Sequence, residues 1–288
     1  MSESLASLTV VATEPAAPVS PHDDPDCLYT AMPQGMQTFA MPSLFEWRDS
    51  TVGADLLGWL ETSLQANLRG EHPDPLDLTG GEEALQRFVN EVLGEGEVIA
   101  LGEAGAVRLM VRETVVPGIW HVRRFEAGRL RRAYLETGSL PTALLAWAQN
   151  LHHKAGVAEP SAFPSDLMNA PALIHEIFVK AAAFAPGREE TLNLSLLPLT
   201  AEDLKFLVAT LGLAGVSILS KGYGDCRISL TGLPHVWWVQ HFNSTEQLIL
   251  NTLEITEMPV VAMAAREDLE DALARVRDMR ADLLDLEP

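Results

Sequence analysis

A thiol, a guanidinium and two indoles are the groups in this chain most suited to chemistry or contact. Cys226 lies in the run Lys221-Gly-Tyr-Gly-Asp-Cys-Arg-Ile228, after a glycine-rich turn and at the start of an expected strand. An exposed thiol there could touch a redox or iron–sulfur client, with Arg227 alongside lowering its pKa. The plainer alternative is an ordinary small residue at a strand edge. One cysteine without nearby soft ligands cannot hold a metal alone. Trp237 and Trp238 are consecutive on another expected strand, so their side chains point to opposite faces. One fills the core, and the other is either covered by helices or exposed as an apolar anchor for a partner. The expected partner-binding set is therefore Tyr223, Gly224, Asp225, Cys226, Arg227, Trp237 and Trp238.

Other patterns carry less. Gly222-Tyr-Gly224 and Gly94-Glu-Gly96 lack the third glycine of a dinucleotide site and read as turns. His175-Glu176 lacks the second histidine of a zinc helix, and His152-His153 put their rings on different helix faces. No nucleophile elbow, phosphate-binding lysine loop or Cys-x-x-Cys occurs. The expectation is a binding protein, not an enzyme, with no catalytic residues, metal or cofactor.

Composition narrows the partners. Lys and Arg number 20 against 40 Asp and Glu, a formal charge of −20 in 288 residues. So acidic a surface disfavours nucleic acid and anionic lipid and suits a basic peptide or protein. The 47% hydrophobic content excludes a disordered chain. The two cysteines, Cys27 and Cys226, make no disulfide framework, which fits a reducing cytosol. The first residues lack the basic start of a secretory signal, and no run of 18 apolar residues exists to span a membrane. A cytoplasmic location is expected.

The elements that must position these residues form a repeat. Residues 1–40 read as a flexible tail interrupted by Pro15, Pro18, Pro21, Pro25 and Pro33, with an acidic cluster from His22 to Asp26. Met32 to Pro42 carries Met32, Met36, Phe39 and Met41, which either form a sticky extended segment or pack on the body of the chain. Helical spacing follows from Leu44 to Leu68, and Thr79-Gly-Gly-Glu82 reads as a capping box for a helix ending at Leu93-Gly94. Four strands are expected over 97–101, 107–113, 118–125 and 130–136, then a helix from Thr142 to His153 and another from Pro171 to Ala185. Thr200-Ala-Glu-Asp203 again opens a helix. Thr114, Pro117, Trp120, Val122 and Phe125 match Thr231, Pro234, Trp237, Val239 and Phe242 at one offset of 117, since 231 − 114 and 242 − 125 both equal 117. Leu135-Glu136 matches Leu253-Glu254 at 118, one turn residue longer. The fold class expected is α+β, a tandem duplication of a helix, an antiparallel meander and a helix, with helices on one sheet face. The halves are 41–158 and 159–288. Where the second half has Trp238, the first has only His121, which favours the second half as the contact surface. Glu267 to Leu286 reads as a closing amphipathic helix.

Several long motifs resemble one family. Ser220-Lys-Gly-Tyr-Gly-Asp-Cys-Arg-Ile228, Thr231-Gly-Leu-Pro-His-Val-Trp-Trp-Val-Gln-His-Phe-Asn-Ser244, Leu250-Asn-Thr-Leu-Glu254 and Pro259 to Leu269 are similar to the C-terminal region of the HupH/HyaF/HoxQ hydrogenase expression/formation proteins. Gly118-Ile-Trp-His-Val-Arg-Arg124, Asp166-Leu-Met-Asn169, Ala172-Leu-Ile-His-Glu176 and Met32-Pro-Gln-Gly-Met-Gln-Thr-Phe39 extend the likeness to nearly the whole chain beyond residue 30. The resemblance implies a maturation chaperone for the iron–sulfur small subunit of a nickel–iron uptake hydrogenase. It would act on the precursor, with its twin-arginine signal, before export, together with a thioredoxin-like HupG/HyaE/HoxO-type accessory protein. An iron–sulfur cluster assembly or repair factor for that subunit is the alternative, and a scaffold for other maturation factors is a third class.

Overall fold

The computed structural model describes residues 44–47, 50–152, 156–222 and 224–284. The tail over 1–40, Cys27, the Met32 to Pro42 segment and Tyr223 lie outside the described residues. A 3₁₀ turn, Leu44–Trp47, precedes α1 (Thr51–Leu68), whose N-cap Ser50 accepts the Gly53 N–H at 3.2 Å. Then come β1 (Leu76–Asp77), α2 (Glu83–Phe88) continuing into a π turn (Val89–Leu93), and the meander β2 (Val98–Ala104), β3 (Val107–Glu113), β4 (Ile119–Glu126) and β5 (Arg129–Thr137). α3 (Thr142–His152) and α4 (Ala170–Ala182) lead to β6 (Glu190–Asn193) and α5 (Ala201–Leu211). A second meander, β7 (Val216–Gly222), β8 (Gly224–Leu230), β9 (Val236–Phe242) and β10 (Leu248–Ile255), ends at α6 (Arg266–Leu283).

All ten strands join one antiparallel sheet in the order β1-β5-β4-β3-β2-β7-β8-β9-β10-β6. The meanders meet at β2 and β7, where Ile99 lies opposite Leu219. Trp120 and Trp237 occupy the same place in each. Trp120 faces Glu113 and Glu136 across the ladder, and Trp237 faces Leu230 and Glu254. The 117 and 118 offsets thus map onto equivalent strands.

Helices cover both faces of this sheet, not one. On the first face a single apolar cluster spans both meanders, joining Trp120, Val122, Tyr134, Trp237 and Val239 to Leu144 and Ala148 of α3. A Cβ on Gly102 would come 2.7 Å from Trp147 Nε1, so α3 lies directly on β2. The second face has two separate covers. α1, α2 and α6 pack on Ile119, Ala133 and Leu135, while α4 and α5 pack on Val236, Trp238, Leu253 and Ile255. Strands apolar on both sides, such as Val236-Trp-Trp-Val239, demand cover on both sides. α6 also crosses to the first half, where Glu61 of α1 pairs with Arg277 and Arg280 at 2.9 and 2.8 Å.

The two capping sequences part company. At α5 the box forms, with the Asp203 N–H donating to Thr200 Oγ1 and the Thr200 N–H to Asp203 Oδ2, both at 3.0 Å. At α2 the N-cap is Glu82, without a side-chain cap. Thr79 is drawn instead to the sheet, accepting the Ala133 N–H at 2.9 Å and donating to the Ala133 carbonyl at 3.2 Å. A β1 of two residues needs that added link to β5.

Candidate functional site

The hairpin expected to meet a partner is built on Gly222 and Gly224, paired across the β7–β8 turn. Gly224 has φ +131, and a Cβ there would meet the Phe242 carbonyl oxygen at 2.4 Å, so no larger residue fits. Gly224, Asp225 and Arg227 keep part of their surface, but Cys226 is buried in the first-face cluster. Burial, and then the Glu254 charge, push its thiol up to about 12. Arg227 does not lower it, because consecutive strand residues point to opposite faces. The Arg227 guanidinium lies 4.4 Å over the Phe242 ring on the second face. His241 Nε2 is 3.9 Å from Cys226 Sγ, yet the thiol stays protonated and is no exposed redox group. Among the described residues no group of three or more His, Cys, Asp and Glu is placed to hold a metal.

The tryptophan pair is split as its alternation requires, but neither indole reaches solvent. Trp237 is wholly buried on the first face, and Trp238, 2% exposed, is enclosed by α4 and α5 on the second. Of the two alternatives left open for the outward indole, cover by helices is the one seen for Trp238: α4 and α5, both well upstream in sequence, enclose it. Its Nε1–H donates to Asn251 Oδ1 at 2.6 Å, and the Asn251 N–H donates to Ser195 Oγ at 2.9 Å. Trp238 therefore supports, from beneath, the turn that follows β6.

That turn carries a surface the sequence did not single out. Leu196 is 79% exposed, Met168 71% and Ile249 61%, with Leu197 beside them also exposed. Hydrogen bonds tie these apolar side chains' backbones into one edge. Asn169 Nδ2 donates to the Pro198 carbonyl at 2.6 Å, and Asn251, two residues from Ile249, holds Ser195. The knot beneath is Asp203, fully buried at the start of α5. Its Oδ1 accepts the Met168, Asn169 and Ala170 N–H groups at 3.0, 3.1 and 3.0 Å. Burial alone would raise this carboxyl, but the N–H bonds from Thr200, Ala170 and Met168 hold it below the ordinary value. Exposed apolar groups on a rigid frame are the physical mark of a docking surface. Asp166, two residues from Met168, and Glu246, three residues from Ile249, are exposed acids. The visible sequence signals were the capping pattern Thr200–Asp203 and the motif Asp166-Leu-Met-Asn169; their meeting was not visible.

No helix among the described residues is long and apolar enough to cross a membrane. Residues 167–283, which contain this edge, match the model of the HupH hydrogenase expression protein, C-terminal conserved region. The hydrogenase expression/formation protein HupH of Rhodobacter capsulatus is 41% identical over 261 residues, 90% of this chain and 92% of its own. HoxQ of Cupriavidus necator, a hydrogenase expression/formation protein, is 36% identical over 266 residues, 91% of this chain and 93% of its own. The hydrogenase-1 operon protein HyaF of Escherichia coli is 34% identical over 67% of this chain and 68% of its own. A solved structure of the hydrogenase expression protein HupH from Thiobacillus denitrificans shares 32% identity, covers 40% of this chain and 96% of its own, and has a TM-score of 0.38. With a relative this similar along nine tenths of both chains, the chain belongs to the HupH family of hydrogenase expression/formation proteins.

Proposed function

We propose that this chain is a cytoplasmic, non-enzymatic maturation chaperone that holds the small-subunit precursor of a nickel–iron uptake hydrogenase before export and assembly. The relatives named as hydrogenase expression/formation proteins support the pathway. The observation that carries the mode of action is the exposed apolar set Met168, Leu196, Leu197 and Ile249, with the exposed acids Asp166 and Glu246 two and three residues from Met168 and Ile249. Such an edge suits a segment that combines an apolar run with arginines, as a twin-arginine signal does. The acids steer the basic residues, and the apolar side chains hold the run once docked. Asp225 and Arg227, which keep part of their surface, stay in the proposal as a second contact, together with Tyr223 and Gly224. Cys226, Trp237 and Trp238 act through the fold. A thioredoxin-like accessory protein is the proposed co-factor of this step. The matching strand order of the two halves supports an origin by duplication.

The cluster-factor alternative would use Cys226 as a ligand, and its burial and raised pKa weigh against that use. Capture of the precursor with and without its signal peptide tests the reading. Strong capture of the whole precursor and weaker capture of the trimmed subunit are expected. Visible charge-transfer absorption in the purified protein, or capture of the large subunit instead, would overturn it.

A further inference from the structure

Charge is spread unevenly along this chain. Seven of its 20 basic residues but only two of its 40 acids fall within 104–132, a local excess of five positive charges where the whole carries −20. The strands gather these arginines at one end of the first meander. Cross-strand register sets Arg124 of β4 beside Arg132 of β5. Both lie two residues from the first-face side chains Val122 and Tyr134, so both stand on the first face. Arg132 lies 4.8 Å over the Tyr134 ring. The carboxylates near them are Glu126, which Arg124 and Arg131 share at 3.1 and 3.6 Å, and Asp77, whose carboxyl Thr79 and then Arg132 hold below its ordinary value. Arginines on a strand edge also deter edge-to-edge pairing. That role does not extend to Arg124, which stands on an inner strand between β3 and β5. Beside these guanidiniums a cavity of about 310 Å³ lies between α3 and the sheet, lined by Ala104, Val107, Arg124, Trp147, Asn150 and Leu151. Its apolar lining is half-buried, and Arg124 and Asn150 are exposed, so it opens to solvent. Its indole wall is fixed by Gly102: a Cβ there would meet Trp147 Nε1, Cδ1 and Cε2 at 2.7, 2.8 and 3.0 Å, so only glycine lets the ring lie against β2. Asn150 Nδ2 donates to the Ala146 carbonyl at 2.8 Å, and its Oδ1 accepts no bond among the described residues.

We propose that this cavity and the guanidiniums beside it bind an acidic segment of a partner protein, with one large apolar side chain of that segment in the cavity and its flanking carboxylates on Arg124 and Arg132. Each group has a task. Ala104, Val107, Leu151 and the Trp147 indole enclose the apolar side chain. Arg124 and Arg132 present forked N–H donors, which suit carboxylates. Asn150 Oδ1 accepts a backbone N–H. A polypeptide supplies all three partners, whereas a nucleic acid has no apolar side chain and a fatty acid has no N–H. The volume agrees, since it lies at the small end of the range of about 300–1,000 Å³ for binding pockets. The overall charge repels a long polyanion such as duplex DNA or an anionic membrane. A short acidic segment, screened beyond about 8 Å at physiological ionic strength, meets mainly the local arginines. This surface is separate from the edge of Met168, Leu196 and Ile249. Ile249 is on β10, toward the β6 end of the sheet, and Arg124 and Arg132 are on β4 and β5, toward the β1 end. Two surfaces of opposite preference let one chain hold a basic and an acidic segment at once, and the second stands whether or not the first takes the proposed client.

The test uses the full chain and labelled acidic peptides that carry a single central leucine or phenylalanine, followed by fluorescence anisotropy and by the indole N–H resonances. The expected result is saturable binding that shifts the Trp147 indole resonance and leaves that of the wholly buried Trp237 in place. Arg124→Glu with Arg132→Glu should weaken binding roughly ten-fold or more, the effect of about 1.4 kcal/mol. Both side chains are exposed, so the double variant should keep the parent's fold. The same loss is expected for peptides with glutamine in place of the acids, or with glycine in place of the central apolar residue, which change nothing in the protein. No binding by any of the peptides, binding indifferent to the glutamine or glycine changes, shifts in other indoles without Trp147, or equal binding of a DNA duplex or of phosphatidylserine vesicles would each overturn the proposal.

Discussion

Replacing Asp203 by alanine removes a buried carboxylate that accepts four backbone N–H groups, Thr200 on Oδ2 and Met168, Asn169 and Ala170 on Oδ1, at 3.0 to 3.1 Å. The Thr200 bond belongs to the capping box of α5, a feature worth about 1 kcal/mol. The Ala170 amide is buried and would be left without an acceptor, at about 1–3 kcal/mol. The Met168 and Asn169 amides are partly exposed, so water can replace their lost bonds. The expected destabilisation of Asp203→Ala is therefore about 2–4 kcal/mol, with Asp203→Asn, which keeps one acceptor oxygen, in between. The pH dependence has a definite sign. The native carboxyl titrates below its ordinary 3.8, so its stabilisation is present above that value and is lost as pH falls through the native one. Urea unfolding followed by tryptophan fluorescence, at neutral pH and in acid, measures both effects. A loss under about 0.5 kcal/mol at neutral pH, the range of an ordinary surface change, would refute the reasoning. So would a gap between parent and variant that fails to narrow in acid.

Glu113 is buried beside Asp268 and Glu97. Burial first, and then those charges, raise its carboxyl to about 7, against the Gly118 N–H bond at 2.9 Å. Its favourable contribution is complete below 4.5 and is lost as pH rises to about 7, so Glu113→Gln should gain up to about 3 kcal/mol on the parent across that window. Chemical denaturation at both ends of the window checks this. Trp238→Ala should cost about 3–5 kcal/mol of stability through the cavity it opens, seen as a lower unfolding midpoint, because the indole fills the α4–α5 cluster and does not meet solvent. Cys226→Ser should fold and support hydrogenase maturation, with a loss of about 1 kcal/mol in thermal unfolding, since a protonated buried thiol serves packing. Lost hydrogenase activity at normal protein level would revive the cluster-factor role.

Much of the fold was legible in local pattern. Alternation located the four strands of the first meander within a few residues, and β3 over 107–113 agrees at both ends. The helices from Thr142 and to Leu283 follow the expected amphipathic runs. What was not legible depended on distant partners. β1 and β6, of two and four residues, are too short to show a period and exist only because β5 and β10 offer open edges. Nothing in Trp237-Trp238 says that α4 and α5 cover one side and α3 the other, so the question of an exposed indole stayed open until the packing was seen. The edge at Met168 and Leu196 was hidden for the same reason. Asp203 looked like a cap for its own helix, while its other three bonds come from amides 33 to 35 residues upstream.

The most direct test of the central claim is the affinity of the hydrogenase small-subunit precursor for the parent chain and for Met168→Asp with Leu196→Asp. Both side chains are largely in solvent, so the double variant should unfold at the parent's temperature. The account predicts binding weakened roughly thirty-fold or more, the loss of about 2 kcal/mol that an apolar hot spot carries. A folded double variant that binds the precursor as tightly as the parent would contradict it.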